Sequence, residues 1–197
     1  MRKQLLSLCA MALVASVAFA ADEPKKMSAE EKAQMEAAMK AATPGDAHKK
    51  LDGMVGNWDA VVTSWNKPGD QPMKSTATSE AHWVLGGRWV EEKVTGNFFG
   101  MPFNGIGYTG YDNLKKQYVG TWMDNFSTSV MTSTGKQDDA KTWTFTSSMD
   151  DPMTGKTMPV EEKFVINDAD HHTMEMWGPA PDGKMFKMME ITYTRKK

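Results

Sequence analysis

The sequence predicts an all-β protein, a single up-and-down antiparallel β-barrel of about ten strands, preceded by a short helical leader. From Trp58 onward, apolar and polar residues alternate, a period typical of half-buried strands. Turn-forming residues such as Pro68-Gly69 and Gly86-Gly87 interrupt this pattern at short intervals. The first strand begins with Gly56-x-Trp58 and the last ends at Arg195. If the sheet closes, the first and last strands pair and the arginine lies beside the indole.

The first 20 residues have the pattern of a bacterial secretory signal peptide. Arg2 and Lys3 form a basic start, and the apolar run over 5–19 is too short to span a membrane. Ala18-Phe19-Ala20 is a small-x-small cleavage site. We therefore expect a periplasmic or secreted bacterial protein that begins at Ala21 and has no membrane span once the signal is cleaved.

Composition places limits on the partners of the remaining chain. Its length suits one domain, which at this size buries roughly 70% of its unfolded surface. Cys9, the only cysteine, would leave with the signal, so no disulfide is expected. The formal charge of −2 becomes −4 without Arg2 and Lys3. A mildly acidic chain without a basic block argues against nucleic acid and anionic membranes as partners. No cofactor is indicated, and the oligomeric state is left open.

A polar helical leader is predicted over residues 21–45. Ser28 and Glu31 have the spacing of a capping box, in which each residue bonds the backbone N–H of the other. Good helix formers follow from Lys32 to Ala42, and Thr43-Pro44-Gly45 ends the helix. Met35 and Met39 lie on one face at helical spacing, which makes a thin apolar stripe.

The barrel domain is predicted to span 46–197 and to open with a second short helix. Asp46 is the expected N-cap of this helix. Leu51, Met54 and Val55 are expected to face inward and to close one end of the barrel. The predicted strands begin near Trp58 and continue at 73–85, 88–98, 103–111, 118–124, 128–134, 142–148, 158–166, 172–177 and 185–195.

Several short motifs along this region resemble the bacterial domain of unknown function 1579. The matching stretches are His48-x-x-Leu51, Gly56-x-Trp58, Leu85-Gly86-Gly87-Arg88, Gly110-Tyr111-Asp112, Tyr118-x-x-x-Trp122-x-Asp124 and Tyr193-Thr194-Arg195. In the Gly-x-Trp and the final Arg, that family is similar to the calycins, which include lipocalins, fatty-acid-binding proteins and nitrobindin-like proteins. The resemblance implies a calycin-like barrel. It implies no catalytic residue, because the family has no assigned activity.

Motifs of nucleotide-binding and hydrolytic enzymes fail on their context. Residues 105–110 match the dinucleotide fingerprint, but that motif requires a following helix. Here Asp112-Asn113 turns into another strand. There is no Gly-x-Ser-x-Gly and no His-Glu-x-x-His. We therefore predict no catalytic residues, and an enzyme acting on a ligand inside the barrel is the third of three functional hypotheses.

The favoured hypothesis is a barrel that binds an apolar or amphipathic small molecule. Tyr118, Trp122 and Asp124 share one face of a strand. Two aromatic walls and a carboxylate make a polar anchor in an apolar pocket, as is usual for ligand sites. The glycines at 105, 107 and 110 are expected to leave room beside them. The alternative places Trp122 in the core, with Asp124 capping a turn.

The second hypothesis is a soft-metal protein that binds Cu(I) or Ag(I). His172, Met174 and Met176 share a strand face, and imidazole and thioether groups suit such ions. Packing of these side chains is the simpler interpretation, because the sequence has 18 methionines spread along its length. Trp58 and Arg195 have a structural interpretation, a cation–π contact that joins the first strand to the last.

Overall fold

The computed structural model describes residues 27–98, 100–151 and 154–197. The chain divides into two compact units, of which the first ends at Ala37 and the second is Ala38–Lys197. The expected signal peptide lies outside the described residues. Among the residues described, no helix combines the length and the apolar composition needed to cross a membrane.

The described part of the leader, from residue 27, forms the helix α1 over Ala29–Ala42. The predicted capping box is present. The backbone N–H of Ser28 donates to Glu31 Oε2 at 2.7 Å, and Glu31 N–H donates to Ser28 Oγ at 3.2 Å. No residue of α1 is buried, and Met35 and Met39 are both exposed. The apolar stripe is therefore too thin to hold this helix by burial, and capping and helix propensity determine where it forms.

The helical segment that enters the barrel consists of α2 (Asp46–Lys49) and a 3₁₀ turn (Lys50–Met54). The prediction of Asp46 as N-cap is wrong, because Gly45 occupies that position. The Gly45 N–H donates to His48 Nδ1 at 3.1 Å, so the imidazole of the third helical residue reaches back to the N-cap backbone. Leu51 is fully buried, as expected for the residue that closes this end.

Ten antiparallel strands form a closed barrel, which confirms the predicted fold class. They are β1 Gly56–Ser64, β2 Met73–Val84, β3 Trp89–Phe98, β4 Met101–Asp112, β5 Gln117–Asp124, β6 Met131–Gln137, β7 Thr142–Asp150, β8 Thr157–Ile166, β9 His171–Pro179 and β10 Met185–Arg195. Each strand pairs with the next, and β1 closes the barrel on β10 with Trp58 opposite Arg195.

One strand begins later than the sequence pattern predicts. β6 starts at Met131 rather than at residue 128 and continues to Gln137. The hydroxyls of Ser127 and Ser129 lie 2.6 Å apart, and Ser127 Oγ also accepts from the Ser129 N–H, which holds this segment as a loop. Gly135 extends the strand, because it leaves the space that the Phe145 ring occupies on β7.

The described core contains two clusters of buried side chains, which we name by position. The plug cluster packs against the helical segment and comprises Leu51, Ala81, Val90, Tyr118, Trp143 and Phe145. The wall cluster comprises Trp58, Ala60, Ala77, Val94 and Tyr193. Phe98, Phe103 and Trp122 pack against the wall cluster. The helical segment closes one end of the barrel, and we call this closed end the plug. The candidate functional site lies between the plug and the opposite end.

Candidate functional site

A cavity of about 600 Å³ lies inside the barrel. Its walls are inward-facing residues of the strands, most of them apolar. The lining continues to Phe126 in the β5–β6 loop, where that ring is 46% exposed. Because β1 leaves the plug at Gly56 and reaches the cavity lining at Ser64, this loop marks the opposite end of the barrel, which we call the mouth.

The space exists because small residues face the interior on several strands. Ala60 and Ala77 face each other across β1 and β2, and Ser133 lines the cavity from β6. A ten-stranded barrel is also wider than an eight-stranded one, whose interior side chains nearly fill it. With small residues at these positions, the space between the plug and the mouth stays open.

Trp122 and Asp124 lie together near the mouth, as part of the cavity lining. Trp122 Nε1 donates to Asp124 Oδ2 at 2.9 Å, and Asp124 Oδ1 accepts the Phe126 N–H at 2.9 Å. The indole lies on Gly105 and Gly107, where a Cβ would come within 2.3 and 2.9 Å of the ring. These two glycines therefore make room for Trp122 itself, which is held in one orientation.

Tyr118 is placed elsewhere, although it shares the strand face. Its side chain is only 3% exposed and belongs to the plug cluster. The hydroxyl donates to the carbonyl of Ala47 at 3.1 Å, which ties β5 to the helical segment. The third predicted glycine, Gly110, accommodates Trp89. The structure thus brings Trp122 and Asp124 to the cavity and uses Tyr118 to close the barrel.

Glu92 on β3 is an interior carboxyl that the sequence analysis did not single out. It lines the cavity and accepts a hydrogen bond from Ser79 Oγ at 2.7 Å. The Tyr193 hydroxyl also interacts with it. Removal from water raises the pKa of Glu92 despite these two interactions, and it raises the pKa of Tyr193 well above its usual value.

Glu162 on β8 is a second interior carboxyl in the lining. Among the described residues, no hydrogen-bond or ion-pair partner contacts its side chain, and desolvation raises its pKa to about 7. Both glutamates carry a sequence signal. Glu92 lies between Val90 and Val94, and Glu162 between Val160 and Phe164, all on the inward face. A glutamate that stands where the strand alternation calls for an apolar residue is therefore expected to face the interior.

His172 stands on the cavity wall among three aromatic rings. Its ring centroid lies 4.2 Å from those of Tyr193 and Trp58 and 4.9 Å from that of Phe164. The residue is 4% exposed, and its Nδ1 has no hydrogen-bond partner. Burial, with a smaller contribution from Arg195, lowers the pKa of His172 to about 3, so the imidazole is neutral near pH 7.

Met174 and Met176 line the cavity on the same face of β9 as His172. The face predicted for a soft metal is therefore an interior face. Within the described ranges, no group of three or more His, Cys, Asp or Glu side chains is placed to hold a single metal ion. Any metal at this wall would depend on the two thioethers.

Arg195 lies over the Trp58 ring, with the guanidinium carbon 4.0 Å from the ring centroid. Its Nη1 and Nε donate to the carbonyls of Val55 and Ala169 at 3.1 and 2.9 Å. Gly56 permits this approach, because a Cβ there would come within 2.1 Å of Arg195 Nη1. The expected contact between the first and last strands is present, and it lies at the plugged end, away from the mouth.

Comparison with known proteins adds a family and a fold. Residues 43–195 match the family model described as "Protein of unknown function (DUF1579)". None of the curated proteins matches the sequence. The solved structure of Rv2717c from M. tuberculosis is similar at a TM-score of 0.56 and 14% identity, covering 79% of this chain and all of that chain.

A redesigned β-barrel is also similar, at a TM-score of 0.40 and 14% identity, with 75% of this chain and 96% of that chain covered. At such identities the likeness to Rv2717c concerns the fold alone. The family match, in contrast, extends from the end of the leader helix to the last residue of β10. This chain belongs to the DUF1579 family of proteins of unknown function.

Proposed function

We propose that this protein is an exported barrel that binds an apolar or amphipathic small molecule in its cavity. The observation that carries the proposal is the cavity of about 600 Å³, which lies between the plug and the mouth. Small-molecule pockets usually measure about 300–1,000 Å³ and combine apolar walls with a few polar groups. The expected signal peptide would place the barrel in the bacterial envelope, where amphipathic molecules are abundant.

The lining suits a ligand with an apolar body and one polar end. Polar groups, namely Glu92, Glu162, Tyr193 and His172, face the interior well inside the mouth. Methionines account for much of the remaining wall; they are Met54, Met123, Met131, Met149, Met174, Met176 and Met189. Because methionine is flexible and polarizable, such a wall adapts to ligands of different shapes.

A neutral hydrophobic dye tests the cavity directly. Nile red should bind with an increase in fluorescence, and Val62→Trp should reduce its affinity by about tenfold or more, because a side chain added to the wall takes the ligand's space. Val62 lines the cavity and is 4% exposed. The measurement is a fluorescence titration at constant protein concentration.

Val61→Trp is the matched control. Val61 is the preceding residue of the same strand and is 42% exposed on the outer surface. This variant should bind the dye like the parent. Both variants should unfold cooperatively, with a cost of about 1–3 kcal/mol at most for the interior change. Equal dye affinity in the two variants would place the binding site outside the barrel and contradict the proposal.

A second candidate function, soft-metal binding, draws on one observation. His172 Nδ1 is unpaired, and Met174 and Met176 line the cavity on the same strand. An imidazole and two thioethers together would suit Cu(I) or Ag(I). The mass of the bound species separates the two candidates, because a metal ion is much lighter than an organic ligand that would fill the cavity.

A further inference from the structure

The charged side chains of the cavity all have the same sign. Glu92, Glu162, Asp124 and Asp150 line it, and none of the described lining residues is Lys or Arg. Asp124 and Asp150 lie near the mouth, where they accept hydrogen bonds from Trp122 and Thr157. Glu92 and Glu162 lie on inward-facing positions farther from the strand ends.

The two interior carboxyls share a neighbour. The Tyr193 hydroxyl interacts with Glu92, and the charge of Glu162 also acts on it. His172 stacks on the Tyr193 ring and is 4% exposed, with its Nδ1 buried and without a hydrogen-bond partner. Glu92, Glu162 and His172 thus lie around one tyrosine, and two of these three polar groups are acids.

Within the part of the chain that the structure describes, no cation pairs with these two acids. Tyr193 on β10 interacts with both acids, and His172 on β9 stacks on the Tyr193 ring; neither carries a positive charge near pH 7. Arg195 is engaged by the Trp58 ring and the carbonyls of Val55 and Ala169. The raised pKa of Glu92 and of Glu162 is the expected result for carboxyls that have lost water without gaining a cation.

We propose that the cavity selects amphipathic cations, an ammonium or related basic group on an apolar body. This inference rests on the proposed binding function and names the chemical class of its ligand. An ammonium has three donors and no acceptor. Glu92 and Glu162 are interior carboxyl acceptors that the described lining holds for it. The apolar body would extend along the methionine-rich wall toward the mouth. An anionic ligand would meet carboxyls on four of the strands and no positive side chain among the described lining residues.

Three probes of equal chain length test the selectivity: decylamine, decanol and decanoate. Each displaces Nile red in a titration near neutral pH, below the concentration at which the probe aggregates. The affinity of decylamine should exceed that of decanoate by about tenfold or more. The reason is that the ammonium forms a charge pair with an interior carboxylate away from water, which contributes more than about 1.4 kcal/mol. Glu162→Gln and Glu92→Gln should each remove most of the amine's advantage over decanol.

Glu161→Gln is the matched control, since Glu161 is the exposed neighbour of Glu162 on the same strand. It should leave the ratio of amine to alcohol affinity unchanged. If the dye and decanol bind but decanoate equals or exceeds decylamine, the inference is overturned and the binding function stands. If neither the dye nor any probe binds, the proposed function fails and the inference fails with it.

Discussion

Trp58→Ala should lower the free energy of unfolding by about 3–5 kcal/mol, the range for emptying a buried aromatic site. Trp58 is 1% exposed, and its Nε1 donates to the Met54 carbonyl at 3.0 Å. The His172 ring meets it edge to face at 4.2 Å, and Arg195 covers it at 4.0 Å. The substitution removes contacts to the plug, to β9 and to β10 together.

Denaturant unfolding measures this effect and separates its parts. Arg195→Ala should cost about 1–2 kcal/mol, because it removes the cation but leaves the indole buried. Arg88→Ala is the control, since Arg88 is exposed and lies in the turn between β2 and β3; it should stay within about 0.5 kcal/mol of the parent. Unfolding of Trp58→Ala and Arg195→Ala at the parent's midpoint would refute the role of this contact in closing the barrel.

Glu162→Gln should stabilise the protein by about 2–3 kcal/mol near pH 8 and have little effect near pH 4. Desolvation raises the folded pKa of Glu162 to about 7, above its ordinary value of 4.5. The folded state therefore favours the protonated acid. Its contribution to stability is complete below about pH 4.5 and is lost as the pH rises through 7. Glutamine is neutral at every pH, so the variant does not lose stability when the pH rises through 7.

The pH dependence of the variant must be compared with that of the parent, because His172 acts in the opposite direction. Its pKa is lowered from 6.5 to about 3, so its contribution is complete above 6.5 and is lost as the pH falls toward 3. Both proteins contain His172, so subtracting the parent's free energy of unfolding from that of the variant at each pH removes its contribution. Glu161→Gln is the exposed control and should show no such trend. A stability difference that stays constant between about pH 5 and pH 8 would show that Glu162 is not desolvated.

The fold was largely predictable because its causes are local. Alternation from Trp58, together with turns such as Gly86-Gly87, determines antiparallel neighbours, and closure removes the free edges that ten strands would leave. The start of β6 was not predictable from the same pattern. Thr128 and Val130 have strand propensity, but hydroxyl bonds of Ser127 and Ser129 hold that segment as a loop.

The site was less predictable, because alternation determines which face a residue lies on but not its depth in the barrel. Tyr118, Trp122 and Asp124 share a face, yet the first packs on the plug and the other two lie near the mouth. That depth depends on which end the helical segment closes. Glu92 and Glu162 stand at strand positions where the alternation places apolar residues. The alternation alone would therefore have identified them as interior acids.

Native mass spectrometry of protein released gently from the periplasm is the most direct test of the central claim that the barrel holds a small molecule. We expect a chain that begins at Ala21 and carries an adduct of a few hundred daltons, the size of molecules that fill such pockets. The adduct should be lost in Val62→Trp and retained in Val61→Trp. A mass that still includes residues 1–20 would contradict export. A clean unliganded mass would contradict the binding function, and an adduct with the mass of copper or silver would favour the metal candidate.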